Sequence, residues 1–291
     1  MKLGFIDLHT HSAVSDGTDS PAALVRKAAE AGLAALALTD HDATDGLDEA
    51  EEAAKEHGIR FIRGCELSVA DGDAGAELHL LGLWIPKEAG ELEEALQDIR
   101  HQRKERNARM TEKLTAMGMP LSMEDVLRFA RGVAPGRPHI ASAMVEKGYV
   151  KTVRDAFALY IGESGKAFVP RALLSPEKGT RLLAASGATV AIAHPFLSEN
   201  MSEERLDGLI PEFKAWGLSA LEVYHSAHSD SEVRAGLRCA EKHGLLCTGG
   251  SDYHGKTKPD IHLGAGQGGM RVPLRLLVLM EEQRIRQGLW V

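Results

Sequence analysis

The chain is short of several features that would assign it to a large protein class. It has three cysteines, Cys65, Cys239 and Cys247, an odd number with no Cys-x-x-Cys spacing. This excludes a disulfide-stapled framework and a thiolate zinc motif, and predicts buried thiols in a reducing compartment, the cytoplasm. No apolar run approaches the ~18–20 residues of a membrane span, so no membrane partner is expected. The first residues pass into a short apolar stretch without a signal-peptide pattern. Internal repeats and low-complexity linkers are missing too. Nor is there an excess of positive charge: 34 Lys and Arg stand against 42 Asp and Glu, a formal net charge of -8. That argues against a nucleic-acid coat protein but not against an enzyme that processes nucleotides. Carboxylates that hold cations count as negative in a formal sum. Nothing calls for an obligate protein partner.

What is present fits an ordinary globular chain, 44% hydrophobic and 26% charged. Its 291 residues suit one α/β barrel. Up to about residue 85, strand and helix patterns alternate as in such a barrel. Strands are expected at 3–8, 33–39, 59–62 and 77–83, with helices at 21–31 and 47–57. Between residues 91 and 165 strand patterns vanish. This stretch reads as an all-helical insert, with a first helix carrying Arg100, Arg103, Lys104, Arg106, Arg109 and Lys113. Strands then return at 189–193, 220–223 and 245–248, between helices at 176–186, 203–216 and 231–243. A final helix spans 273–287. The expected organisation is a barrel from 1–90 and 166–291, with 91–165 inserted over its active site.

Metal-binding residue types recur at the strand ends: His9 and His11, His41, Glu66, His79, His194, and Asp252 with His254. Asp16 sits in the loop after the first strand. In a parallel barrel these ends converge on one face, where active sites lie. His9 and His11, two apart on an extended segment, point the same way. His57, His101 and His243 fall on helices and receive no role. The His, Asp and Glu mixture without cysteine favours Mn, Zn or Fe. Nine candidate ligands are too many for one ion, and two or three ions bridged by Glu66 suit phosphoester hydrolysis.

These segments are Asp7-Leu8-His9-Thr10-His11-Ser12, Thr39-Asp40-His41-Asp42, Gly64-Cys65-Glu66, Leu78-His79-Leu80-Leu81-Gly82, Ala193-His194-Pro195 and Gly250-Ser251-Asp252-Tyr253-His254. Together they resemble the motifs of the PHP (polymerase and histidinol phosphatase) family. The resemblance implies a distorted (β/α)7 TIM-like barrel and a trinuclear site, often manganese. One ion would take His9, His11, Glu66 and Asp252, a second Glu66, His79 and His194, and a third Asp16, His41 and His254.

Within the insert and after it, Arg106-Asn107, Gly136-Arg137-Pro138-His139-Ile140-Ala141, Ala156-Phe157 and Lys166-Ala167-Phe168-Val169-Pro170 resemble one bacterial subfamily. It contains nucleoside 3′,5′-bisphosphate phosphatases and a 5′-to-3′ exoribonuclease, ribonuclease AM. The implied activity is phosphatase action on a small nucleotide, with short RNA oligonucleotides as further substrates. Arg137 is the first choice for a phosphate-binding cation, since guanidinium binds phosphate bidentately. Lys166 and Arg171 follow, with His139 and Ser12 as further substrate contacts. Ser12 is equally suited to orienting His11. His225, His228 and His194 are candidates to protonate the leaving group, His225 foremost, and Asp252 joins His194 and His225 as a catalytic candidate. Tyr224 or Phe196 would stack a base. The competing readings are a histidinol phosphate phosphatase with the same metals, and a non-catalytic metal-binding accessory domain.

Overall fold

The computed structural model describes residues 4–71, 76–130, 132–133, 135–170, 173–198 and 200–291. Its strands are β1 (Phe5–Asp7), β2 (Ala35–Leu38), β3 (Arg60–Asp71), β4 (Ala76–Leu83), β5 (Thr189–Ile192), β6 (Leu218–His225), β7 (Leu246–Gly250) and β8 (Val272–Pro273). They form one sheet in the order β7-β6-β5-β4-β3-β2-β1-β8. Backbone bonds from Leu8 N to Gly249 O (3.1 Å), His11 N to Tyr253 O (2.9 Å) and Asp252 N to His9 O (2.9 Å) join the two sides of that sheet. The result is a nearly closed, distorted TIM-like barrel. Every residue of β2 and β5 is buried, as expected of strands covered on both faces.

Helices α1 (Pro21–Glu30), α2 (Leu47–His57), α7 (Pro176–Ala185), α8 (Glu203–Trp216), α9 (Asp230–His243) and α10 (Leu274–Arg286) pack outside. Their ends follow local chemistry. Ser20 accepts from Ala23 N, with Pro21 in the first turn of α1. Ser229 and Glu232 form a capping box on α9, and Gly244 ends that helix in the left-handed region. Among the described residues no helix is long and apolar enough to cross a membrane.

One expectation needs correcting. The strand order is not wholly parallel: β4 runs antiparallel to both β3 and β5. β3 and β4 form a long hairpin with no helix between them, and β3 continues from Arg60 to Asp71 rather than stopping at residue 62. Cys65, Leu67 and Val69 alternate with Glu66 and Ser68, but Gly64 reads as the end of the strand and hides its continuation. His79 therefore reaches the common rim from the first half of a reversed strand, opposite Ser68 on β3.

Between β4 and β5, the described elements before α7 are helical. They are α3 (Glu91–Ala116), α4 (Met123–Leu127), α5 (Arg137–Glu146) and α6 (Val153–Ala156), which runs into a π-helical turn at Phe157–Ile161. They bury an apolar cluster of their own, including Met110, Leu114, Val126, Ile140, Met144 and Ile161.

The barrel seam depends on close backbone approach. A Cβ on Gly250 would stand 2.3 Å from His9 N and 2.4 Å from His9 Cβ. Gly208, inside α8, has open space instead. Gly250→Ala should cost about 1–3 kcal/mol of stability by overpacking. Gly208→Ala should gain up to ~1 kcal/mol from helix propensity. Urea denaturation midpoints of the two variants should move in opposite directions.

Candidate metal centre

All nine expected ligand residues meet at one rim of the barrel. Glu66, fully buried on β3, is their hub. Its Oε1 lies 2.8 Å from His79 Nδ1 and 2.9 Å from His194 Nε2. Its Oε2 lies 2.9 Å from His41 Nδ1, 3.2 Å from His11 Nε2 and 3.3 Å from His9 Nε2. Asp252 Oδ1 stands 3.3 Å from His11 Nε2. Asp16 closes the other end, 3.2 Å from His254 Nε2 and 4.0 Å from His41 Nε2. Ligand atoms fall within 4.8 Å of one another in overlapping groups: His11, Asp16, His41 and His254; His9, His11 and Asp252; His9, Glu66 and His194; His41, Glu66 and His79.

The donor set fits metal ions. His9 Nε2 and His11 Nε2 are 3.1 Å apart. Two nitrogens each ~2.1 Å from one ion and about at right angles stand about 3 Å apart. Glu66 Oε2 and His41 Nδ1 are 2.9 Å apart, yet both are buried without a directed hydrogen bond. Buried polar atoms are rarely left so, and each costs about 1–3 kcal/mol. Two donors aimed at a shared third atom produce this geometry.

Surrounding carboxylates fix the rings. Glu222, buried on β6, lies 3.0 and 3.1 Å from His9 Nδ1. A carboxylate only accepts, so Nδ1 carries the proton and the Nε2 lone pair faces inward. Glu222 also accepts from His194 N at 2.7 Å, holding a residue at φ 27°. The carbonyl of Asp252 does the same for His254 Nδ1 at 2.9 Å. Asp7 accepts from Ser251 N (2.8 Å), Ser251 Oγ (2.6 Å) and Gly264 N (2.7 Å), clasping the seam beside Asp252. His194, Asp252 (φ 57°) and Asp42 (φ 49°) all sit in strained backbone at strand ends.

Electrostatics follow from this packing. Burial works to discharge His9, but Glu222 and Glu66 override it and raise its pKa well above the ordinary value. Burial is likewise outweighed at His11, raised to about 9 through Asp252 and Glu66, and at His79, raised to about 10 through Glu66. At His194 burial wins and the pKa falls to about 4. Burial would raise Asp16, Glu66 and Asp252. Their neighbours, chiefly His254 for Asp16, His41 for Glu66 and Lys258 for Asp252, hold all three well below the usual range.

Beside the cluster lies a cavity of about 230 Å³, lined by Asp16, His41, Glu77, His79 and His254 together with Arg103, Arg106, Arg137, Pro138, Phe157 and Lys258. Arg103, from α3, donates to Asp42 Oδ2 through Nε at 2.8 Å, with its second nitrogen at 2.6 Å. Arg137, from α5, lies 5.9 Å over the rings of Phe157 and Phe168.

The other expected contacts fare differently. Ser12 Oγ donates to Asp40 Oδ2 at 2.6 Å, so its proton is committed there rather than to a phosphate. His139 Nδ1 accepts from Gly136 N at 2.9 Å, tying the first turn of α5 together. Lys166 is exposed and does not line the cavity. Arg171 lies outside the described residues. His225 is buried, with Nδ1 accepting from Ala227 N (3.2 Å) and Nε2 at 3.5 Å from Asp252 Oδ2. It flanks Asp252 and does not line the cavity. His228 Nδ1 donates to Val223 O at 3.0 Å. Tyr224 and Phe196 pack against the core, away from the lining.

Sequence reading passed over Glu222, Lys258, Arg103 and Arg106 as site residues. A glutamate inside the apolar run Leu218–His225 is the signal for Glu222. Arg103 was visible only as part of a basic stretch, Arg106 also within the Arg106-Asn107 segment but without a role, and nothing local marks Lys258.

Comparisons with known proteins agree with this geometry. A family model for the PHP domain matches residues 7–127. The chain is 35% identical over 250 residues to a 3′,5′-nucleoside bisphosphate phosphatase of Chromobacterium violaceum, covering 86% of this chain and 87% of the relative. It is 35% identical over 248 residues to a 5′-3′ exoribonuclease of Haemophilus influenzae, covering 85% and 89%. A solved structure from Bifidobacterium adolescentis, described as a metal-dependent phosphoesterase, superposes with a TM-score of 0.86 at 32% identity over 97% of each chain. With identity at this level along most of its length, the chain belongs to the PHP family and is a metal-dependent hydrolase of phosphate esters.

Proposed function

We propose that the protein removes the 3′-phosphate from nucleoside 3′,5′-bisphosphates, converting adenosine 3′,5′-bisphosphate to AMP and phosphate, with manganese in a cytoplasmic setting. The observation that carries this reading is the cavity, which has ligand-type residues on one wall and Arg103, Arg106 and Arg137 on the other. A substrate with two phosphates suits two such walls. The name of the Chromobacterium violaceum relative supports it. The Haemophilus influenzae exoribonuclease supports a second activity, stepwise cleavage of short 5′-phosphorylated RNA with its terminal phosphate at the same arginines. Unpaired cysteines support the cytoplasmic setting.

On this reading His9, His11, Glu66 and Asp252 would hold one ion, Glu66, His79 and His194 a second, and Asp16, His41 and His254 a third. When bound, such ions acidify water and offset charge on phosphate oxygens. Glu222 keeps His9 Nε2 facing inward and fixes the backbone of His194. His225 steadies Asp252. Residues 91–165 form a lobe over the barrel of 1–90 and 166–291. Arg137, with Arg106 beside it, grips the distal phosphate and so places the ester bond at the ligand cluster, while Arg103 anchors α3 to Asp42. Phe157 and Phe168 hold Arg137 in place from its ring side.

Three outcomes are expected. With Mn²⁺, phosphate release should be faster from adenosine 3′,5′-bisphosphate than from L-histidinol phosphate, and EDTA should abolish it; preference for histidinol phosphate, or release indifferent to EDTA, would sink the reading. Arg137→Ala should raise KM for the bisphosphate about tenfold or more while leaving p-nitrophenyl phosphate hydrolysis nearly unchanged. Glu222→Gln should weaken Mn²⁺ binding by about 10–100-fold in calorimetry, because the ring of His9 loses its partner.

A further inference from the structure

Lys258 stands outside every segment that marks the family resemblance, four residues beyond His254. Its turn is laced to the loop that carries Asp16. Lys256 N donates to Thr18 Oγ1 at 2.9 Å, and Thr257 Oγ1 donates to Asp16 O at 3.1 Å. Gly255, at φ 65°, packs so closely that a Cβ there would stand 2.1 Å from Thr18 Oγ1. The backbone under Lys258 is thus held from the Asp16 side.

The ammonium donates to Asp252 Oδ2 at 2.5 Å. The other oxygen of that carboxylate, Oδ1, faces His11 Nε2 at 3.3 Å, His254 Nδ1 at 3.4 Å and His9 Nε2 at 3.7 Å. One oxygen of Asp252 therefore belongs to the ligand cluster and one to Lys258. An ammonium has three N–H donors and no acceptor. Asp252 uses one, leaving two for whatever enters the cavity that Lys258 lines. The other Lys and Arg side chains of that lining, among the described residues, come from α3 and α5. Arg103 is already committed to Asp42 and Ser68.

We propose that Lys258 contacts the scissile phosphate, bridging Asp252 Oδ2 and a non-bridging phosphate oxygen. No bond to Lys258 forms or breaks. Its fixed positive charge offsets the charge of the phosphoryl group and favours a dianionic monoester over a singly charged diester. A cation next to a ligand carboxylate, rather than on the insert, acts at the reacting phosphate and not at the distal one. The inference rests on metal-assisted monoester hydrolysis as proposed above, and not on which nucleotide is the substrate.

The test uses the Mn²⁺-loaded full chain and inorganic phosphate as probe. Lys258→Met should keep the parent's metal content by mass spectrometry and bind phosphate at least about tenfold more weakly in calorimetry. It should lose about a hundredfold in kcat/KM on p-nitrophenyl phosphate, and Lys258→Arg should recover part of the phosphate binding. Unchanged phosphate binding in Lys258→Met would overturn the assignment. So would a loss matched by loss of metal, since Lys258 would then only support Asp252. Neither probe carries a nucleoside, so failure of the bisphosphate assay would leave this test standing.

Discussion

One carboxylate buried among five imidazoles sets the terms for the rest of the molecule. Glu66 has His9, His11, His41, His79 and His194 within 2.8–3.3 Å. Removing such a charge from water costs several kcal/mol unless cations surround it. The barrel supplies those partners from β1, β2, β4 and β5 and the loops that follow them. Glu222, Asp7 and Asp40 then hold the rim from outside the cluster. Each uses its oxygens on backbone N–H groups, serine hydroxyls or a ring nitrogen, so the rim is stiff before any ion arrives. This is how a binding centre is preorganised: the ligands are themselves held by groups that have no other task.

The reversed β4 serves the same end. A regular βα unit after β3 would place a helix where the site needs another histidine. The hairpin instead sets His79 directly across from Ser68, two residues past Glu66. In the long connection that follows β4, α3 and α5 line the cavity beside the rim. Arg103 fastens that connection to Asp42, one residue beyond His41. The contact joins a helix outside the barrel to a residue beside a candidate ligand, so the cavity wall and the ligand cluster share one anchor.

Much of this was legible in the sequence, for a physical reason. Parallel strands covered on both sides are continuous apolar runs, and polar residues that end them stand out: His9, His41, His194 and Asp252 are visible as breaks in apolar text. Helices α2 and α8 matched their expected limits because Gly58 and Gly217 stop them in the left-handed region. The second half of β3 was not legible, since Gly64 reads as a strand end and the buried polar residues Glu66 and Ser68 interrupt the apolar run. The partners of Glu222 and Arg103 were hidden because they lie tens to hundreds of residues away in sequence, whereas Lys258 meets Asp252, six residues away, in a turn without a local pattern. His139 and Ser12 show the converse hazard: polar residues in a suggestive segment can be spent on structural hydrogen bonds, to Gly136 nearby and to Asp40 on another loop.

The seam between β1 and β7 has a consequence for biosynthesis. Ser251 and Asp7 clasp each other across 244 positions of chain. Contacts of such separation form late, because loop closure must precede them. His9 and His11 are made more than two hundred residues before the carboxylate of Asp252 that faces them. The cluster is therefore completed only after Asp252 and His254 have been made. On the proposed ligand assignment, a chain cut before Asp252 also lacks His254 and has no complete set of ligands to compete for the cell's ions.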